Sequence, residues 1–226
     1  MPDQHRATAV ARALLEAGSV TLRPHQPVTF KSGLRSPVYV DNRRLIFAPG
    51  PWHTVIEAFG SVIRPARGES LAGWFGDLAD PGSLVIAGVE SAGIPHSSAL
   101  AYHLGQPSVF VRKAAKDHGL TQRIEGGDVT GRRVVLVEDM VTTGGSSLSA
   151  IEALRGGGAV AEHCLAIITY GFSEATAAFA EAGVSLTTLT TFEVVVEQAL
   201  ERGVIDGAEA RLVREWLADP HGWDGR

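Results

Sequence analysis

The sequence predicts an α/β fold, a single domain in which a central parallel sheet is flanked by helices. Three observations carry that reading. From Leu84 onward, short apolar runs alternate with amphipathic stretches of helical length, and strand and helix taking turns implies parallel pairing through right-handed crossovers. The runs at 84–88 (LVIAG) and 134–137 (VVLV) are apolar without interruption, as strands buried on both faces are. A chain of 226 residues, 45% hydrophobic and 20% charged, can bury one substantial core but is short for two.

The elements follow in chain order. From His5 to Ala17, Val10, Leu14 and Ala17 recur at helical spacing, and Gly18 suits the C-cap. Between Val28 and Leu45, β-formers flank a Ser-Gly turn and a Ser-Pro step, which reads as a hairpin. Trp52 to Ile63 is a second amphipathic helix, and the Gly- and Asp-rich stretch from Pro65 to Pro81 holds a helical or loop segment around Leu71 to Leu78. Then come a strand at 84–88, a helix from Gly93 to Leu104, and strands at 107–111 and 134–137. A helix from Leu148 to Arg155 ends at Gly156, Gly157 and Gly158, and AEHCLAIITY forms a strand to Tyr170. Ser173 to Ala182 is helix, Ser185 to Thr190 strand, and helices at about 192–202 and 208–217 close the chain. The single domain, 1–226, thus comprises an N-terminal segment of about 1–50, an α/β core of about 84–190 and C-terminal helices of about 192–218.

Composition narrows the functional classes. A net charge of -5 without a long basic run argues against nucleic acid as partner. No apolar stretch approaches the roughly 18 residues of a membrane span, and the N-terminus lacks the layout of a signal peptide, so a cytoplasmic protein is expected. Cys164, the only cysteine, lies in an apolar run and reads as a buried inert thiol.

The stretch from Val134 to Ser147, VVLVEDMVTTGGSS, changes chemical character twice. A buried strand is followed by two carboxylates, Glu138 and Asp139, and then by a Thr/Gly/Ser loop that enters a helix. Gly144 and Gly145 let the backbone approach a ligand, while Thr142, Thr143, Ser146 and Ser147 offer hydroxyls and N–H groups where an anion is favoured. Adjacent carboxylates at a strand end call for hydroxyl donors or a cation, which a ribose diol with a hard metal nearby would supply. The plainer reading is an ordinary strand, acidic turn and capped helix. The P-loop and dinucleotide patterns are both absent. GVESAGIP, Gly88 to Pro95, is a second small-residue loop on the same sheet edge, suited either to another anion or to a simple turn. RKAAKDHG, Arg112 to Gly119, opens a long connection rich in positive charge. The chain has only three lysines, Lys31, Lys113 and Lys116, among 20 Lys plus Arg, and all three fall in candidate site segments.

VEDMVTTGGSS resembles the 5-phosphoribosyl 1-diphosphate (PRPP) signature of type I phosphoribosyltransferases. FKSG with SPVY downstream, GVESAGIP, RKAAKDHG and VEDMVTTGGSS, in this order and spacing, resemble the orotate phosphoribosyltransferase family over about residues 5 to 205. The resemblance implies the type I fold, a central parallel sheet flanked by helices with a small N-terminal hood. It also implies a pentosyltransferase that joins orotate and PRPP into orotidine 5′-monophosphate and diphosphate, with Mg²⁺ carried by the PRPP diphosphate and no dedicated protein metal site. A homodimer with shared active sites is implied as well.

Carried over by position, Lys31 contacts the diphosphate, and Arg112, Lys113, Lys116 and His118 close over it from the partner subunit. Glu138, Asp139, Met140, Val141, Thr142, Thr143, Gly144, Gly145 and Ser146 bind the phosphoribosyl group. Thr142 also touches orotate, and Tyr39 lies near its ring. Catalysis falls to Arg112, Lys116, His118 and Asp139. Two positions depart from the pattern: Ser91-Ala92 stands where many members carry Tyr-Lys, and the strand end at Thr169 to Phe172 has no arginine for the orotate carboxylate. Backbone amides and Arg44 are the remaining candidates. A purine phosphoribosyltransferase and a non-enzymatic PRPP sensor are the alternative readings.

Overall fold

A computed structural model of the chain describes residues 3–30, 33–64, 84–114 and 123–223. The chain divides into two compact units, residues 55–189 and residues 1–54 with 190–226.

The larger unit is built on a six-stranded sheet. Its strands are β5 (Val85–Val89), β6 (Ser108–Val111), β7 (Ile124–Glu125), β8 (Arg133–Val141), β9 (Val160–Thr169) and β10 (Ser185–Thr191), in spatial order β10-β9-β8-β5-β6-β7. β6, β5, β8 and β9 run parallel, as the alternation of strand and helix requires, and β7 returns antiparallel along β6. Helices α3 (Gly93–Leu104), α4 (Gly145–Gly156) and α5 (Ser173–Glu181) are the crossovers.

Strand periodicity assigns the faces. Val85, Ala87, Val109, Val111, Val134, Leu136, Cys164 and Ala166 share one core with Ala150, Ile151 and Leu154 of α4 and with Ala175 and Phe179 of α5. On the other face, Gly88 lies so close to α3 that a Cβ there would collide with Ser97 Oγ. Every residue of β5 is buried, as are Val134 to Glu138 of β8, which explains why these strands read as continuous apolar runs.

The second unit joins the chain's two ends. α1 (Gln4–Glu16) packs through Val10 and Leu14 against α6 (Phe192–Glu201), where Val195, Val196 and Ala199 are fully buried. Thr190 Oγ1 donates to Ala7 O at 2.9 Å, and Arg12 Nε to Gln198 Oε1 at 2.6 Å. α7 (Gly207–Ala218) starts in a capping box between Asp206 and Glu209, and its buried Trp216 donates from Nε1 to Arg35 O at 2.8 Å. α2 (Pro49–Ile63) opens on proline, which costs nothing in a first turn whose N–H groups lack acceptors anyway.

The structure departs from the sequence-based expectations at identifiable places. The hairpin between Val28 and Leu45 exists as β2 (Val28–Thr29) paired with β3 (Arg35–Ser36), but β4 (Val38–Val40) pairs instead with β1 (Val20–Leu22), a strand too short to show alternation. Asn42 to Phe47 is a 3₁₀ helix, not strand. β8 does not stop at Val137 but continues to Val141, so both carboxylates lie within the strand. The stretch after Arg112 contains β7, and α4 begins three residues earlier than expected, at Gly145. The segment around Leu71 to Leu78 lies outside the described residues.

Candidate functional site

Three neighbouring parallel strands open three loops side by side. Gly88 of β5 lies opposite Val137 of β8, and Val89 opposite Val111 of β6, so residues 138–147, 90–93 and 112–114 emerge at one carboxyl edge of the sheet. Ligands of parallel sheets sit at this edge.

The turn from β8 into α4 depends on Gly144, whose φ of 90° is left-handed. A Cβ at this residue would also meet Phe179 Cε2 at 2.7 Å. Gly144 is the N-cap of α4 and supplies no side chain to cap it, so the N–H groups of the first turn stay available to an anion. Thr142, Thr143, Gly145 and Ser146 are exposed around that turn, and no atom lies within 4 Å of where a Cβ on Gly145 would be. Ser147 differs from the expectation: it is buried and donates from Oγ to Glu138 Oε2 at 3.3 Å, away from the open turn. Val141 is also buried, so any ligand contact it makes comes from its backbone, while Met140 is half-buried.

The two acids have different environments. Counting by twos from Val134 places Glu138 on the face that α4 covers, and it is 4% exposed. Its Oε1 accepts from Asp139 N at 3.1 Å. Gly93, at the start of α3, packs against the same strand; a Cβ there would meet Val137 O at 2.7 Å. Burial above all, and then the charge of Asp139, raises the Glu138 carboxyl to about 8. Asp139, on the following residue, is half-buried.

The other two loops are tied to each other. Glu90 Oε2 accepts from Lys113 N at 2.9 Å, and the Arg112 guanidinium lies 3.5 Å from Glu125 Oε1 on β7. Arg123 donates from Nε to Arg112 O at 2.8 Å and from Nη1 to Ser149 O and Oγ on α4, both at 3.0 Å. Motif reading did not find Glu90, Glu125, Arg123 or Ser149 in these roles; only GVESAG, which contains Glu90, carried a signal. Lys31, Lys116 and His118 lie outside the described residues.

At the end of β9, Thr169 Oγ1 donates to Val141 O at 2.9 Å and accepts from Gly171 N at 3.1 Å, and the rings of Tyr170 and Phe172 stack 5.3 Å apart. In the other unit, Tyr39 is opposite Thr21 and 42% exposed, and the Arg44 guanidinium lies over Gly18. A cavity of about 610 Å³ lies toward the far end of α4, lined among others by Arg123, Asp128, Thr130, Gly156 and Gly157, and does not include the turn at Gly144. Among the described residues, no three His, Cys, Asp or Glu side chains group as a cation site, and no helix is long and apolar enough to cross a membrane.

Comparison with known proteins agrees with this arrangement. Residues 66–177 match the model of the phosphoribosyl transferase domain. The orotate phosphoribosyltransferase of Listeria monocytogenes serotype 4b (strain F2365) is 37% identical over 214 residues, covering 95% of this chain and 96% of its own. The solved orotate phosphoribosyltransferase of Aeropyrum pernix superposes with a TM-score of 0.68 at 29% identity, over 87% of this chain and 99% of that one. Leishmania donovani UMP synthase superposes with a TM-score of 0.75 at 25% identity, over 94% of this chain and 42% of that longer one.

The raised Glu138 carboxyl links stability to pH. Both folded and unfolded forms are protonated below the ordinary value of 4.5, the unfolded form alone ionises as pH rises, and the loss is complete once pH passes about 8. The melting temperature of the wild type is therefore expected to fall relative to Glu138→Gln between those limits and to run parallel above them. A constant gap across pH 4 to 9 would contradict this.

Proposed function

The chain belongs to the orotate phosphoribosyltransferase family, and from that premise we propose that it transfers the phosphoribosyl group of PRPP to orotate, giving orotidine 5′-monophosphate and diphosphate. The observation that carries the reading is the turn at Gly144: an uncapped helix N-terminus opening directly off a strand whose last four residues include two carboxylates. The 5′-phosphate lies on the N–H groups and hydroxyls of Thr142 to Ser146, and Met140 and Val141 contribute backbone to the same cradle.

Asp139 holds the ribose hydroxyls and carries the negative charge that favours a cationic sugar. Glu138, its carboxyl raised to about 8 by burial, takes part as a hydrogen-bonding group and as the link to α4 through Ser147. Thr142 reaches toward orotate; the family resemblance assigns Tyr39 to the orotate ring and Lys31 to the diphosphate.

The reaction is a substitution at the anomeric carbon: an orotate nitrogen forms the new bond as the C1–diphosphate bond breaks. No covalent enzyme intermediate is needed. Orienting the two substrates and neutralising the departing charge lower the barrier, the latter through Arg112, Lys113, Lys116 and His118. Mg²⁺ carried by the PRPP diphosphate would neutralise charge on the leaving group, in keeping with its usual use of substrate phosphates and few protein carboxylates.

We further propose a cytoplasmic homodimer in which residues Arg112 to His118 serve the partner's site.

With PRPP and Mg²⁺, the ultraviolet absorbance of orotate is expected to fall as product forms, and excess chelator should abolish the change. No turnover of orotate with both present, or full activity in chelator, would contradict the reading.

A mixed dimer tests the shared site. Lys116→Ala and Asp139→Asn homodimers should each be nearly inactive. Co-refolded in equal amounts they give about half mixed dimers, each with one intact site if the loop acts across the interface, so about a quarter of wild-type activity should return. If mixed dimers form and nothing returns, the loop acts within its own subunit.

A further inference from the structure

Arg112 and Lys113 reach the sheet edge at the end of β6, but nothing in β6 itself sets their distance from α4. Arg123 does. Its backbone carbonyl accepts from Arg112 N at 2.8 Å while its Nε donates back to Arg112 O at 2.8 Å, so the two residues are bonded in both directions. Its Nη1 then reaches across to α4, donating to both Ser149 O and Ser149 Oγ at 3.0 Å. Ser149 is one helical turn beyond Gly145, the first residue of the helix that opens the phosphate turn.

One half-buried guanidinium therefore spans the peptide that carries Arg112 and the helix whose N-terminus forms the anion cradle. On its other side the same segment is fixed by the bond from Lys113 N to Glu90 Oε2 at 2.9 Å. The chemistry suits arginine: its donors lie in a rigid plane, so three bonds to two separate elements fix a distance and an angle. A lysine ammonium on a flexible stem reaches one of these acceptors at a time.

We infer that Arg123 is a positioning residue for phosphoribosyl transfer, anchoring the stem that carries Arg112 and Lys113 to α4 of its own subunit, so that from this fixed base their charges meet the departing diphosphate in the partner's site. The inference rests on the proposed action of Arg112 and Lys113 on the diphosphate. Arg123 itself does not touch substrate. Its loss leaves the ground-state cradle of Thr142 to Ser146 in place and displaces the groups that act as charge builds on the leaving group.

The test is a comparison of variants by kcat and by KM for PRPP. Arg123→Ala should lower kcat by roughly 10- to 100-fold, the scale of an ångström-sized misplacement, with a smaller change in KM. Arg123→Lys should recover part of the loss. In a background of Arg112→Ala with Lys113→Ala, adding Arg123→Ala should cost less than about threefold, because nothing is left to position.

Wild-type kcat in Arg123→Ala, or losses that multiply in full with those of the double background, would overturn the inference. Should Arg123→Ala fail to fold, Arg123→Lys carries the same comparison. If the double background is itself fully active, the diphosphate role of Arg112 and Lys113 fails, and the positioning role falls with it. If that background is impaired while Arg123→Ala is not, the positioning role alone fails.

Discussion

The backbone of Gly144 is the constraint on which the site depends. At φ 90° it turns the chain from β8 into α4 within a few residues, and the Phe179 ring occupies the space where any other side chain would begin. A slower turn would separate strand end from helix start. Here the two acids of the strand and the first turn of the helix are brought to the same carboxyl edge of the sheet. The same turn returns Ser147 to Glu138, so the geometry of the cradle and the burial of the first acid have one cause.

Local electrostatics run against the charge of the whole molecule. The chain carries a net charge of -5, which would repel a polyphosphate at long range. In the proposed function, attraction arises at short range, from the α4 N-terminus and from Arg112 and Lys113 supplied across the dimer. Burial raises the Glu138 carboxyl to about 8, which lessens the negative charge beside the turn, while Asp139 on the next residue is only half-buried. Arg112 rests against Glu125, so a diphosphate that recruits it competes with a partly exposed ion pair, a weak opponent.

Much of this was legible in the sequence because it is local. The apolar runs, the helix from Gly93 to Leu104 and the turn at Gly144 each depend on residues close in the chain, and each stands where the pattern indicated. What escaped depends on pairing between distant segments. β1 and β7 have three and two residues, too few for a period, and exist because β4 and β6 lie beside them. Arg123 has no motif around it; its role appears only when Ser149 is brought within reach. The burial of Glu138 was available by counting from Val134, but stopping the strand at Val137 hid it.

If Gly145 and Ser146 cradle the 5′-phosphate, their amides report its binding. In ¹H–¹⁵N spectra recorded during titration with Mg²⁺-PRPP, the N–H signals of Gly145, Ser146 and Ser147 should shift together and saturate with a single dissociation constant, with Asp139 following the same curve. PRPP that binds, by calorimetry on the same sample, while these four signals stay unmoved would rule out the cradle.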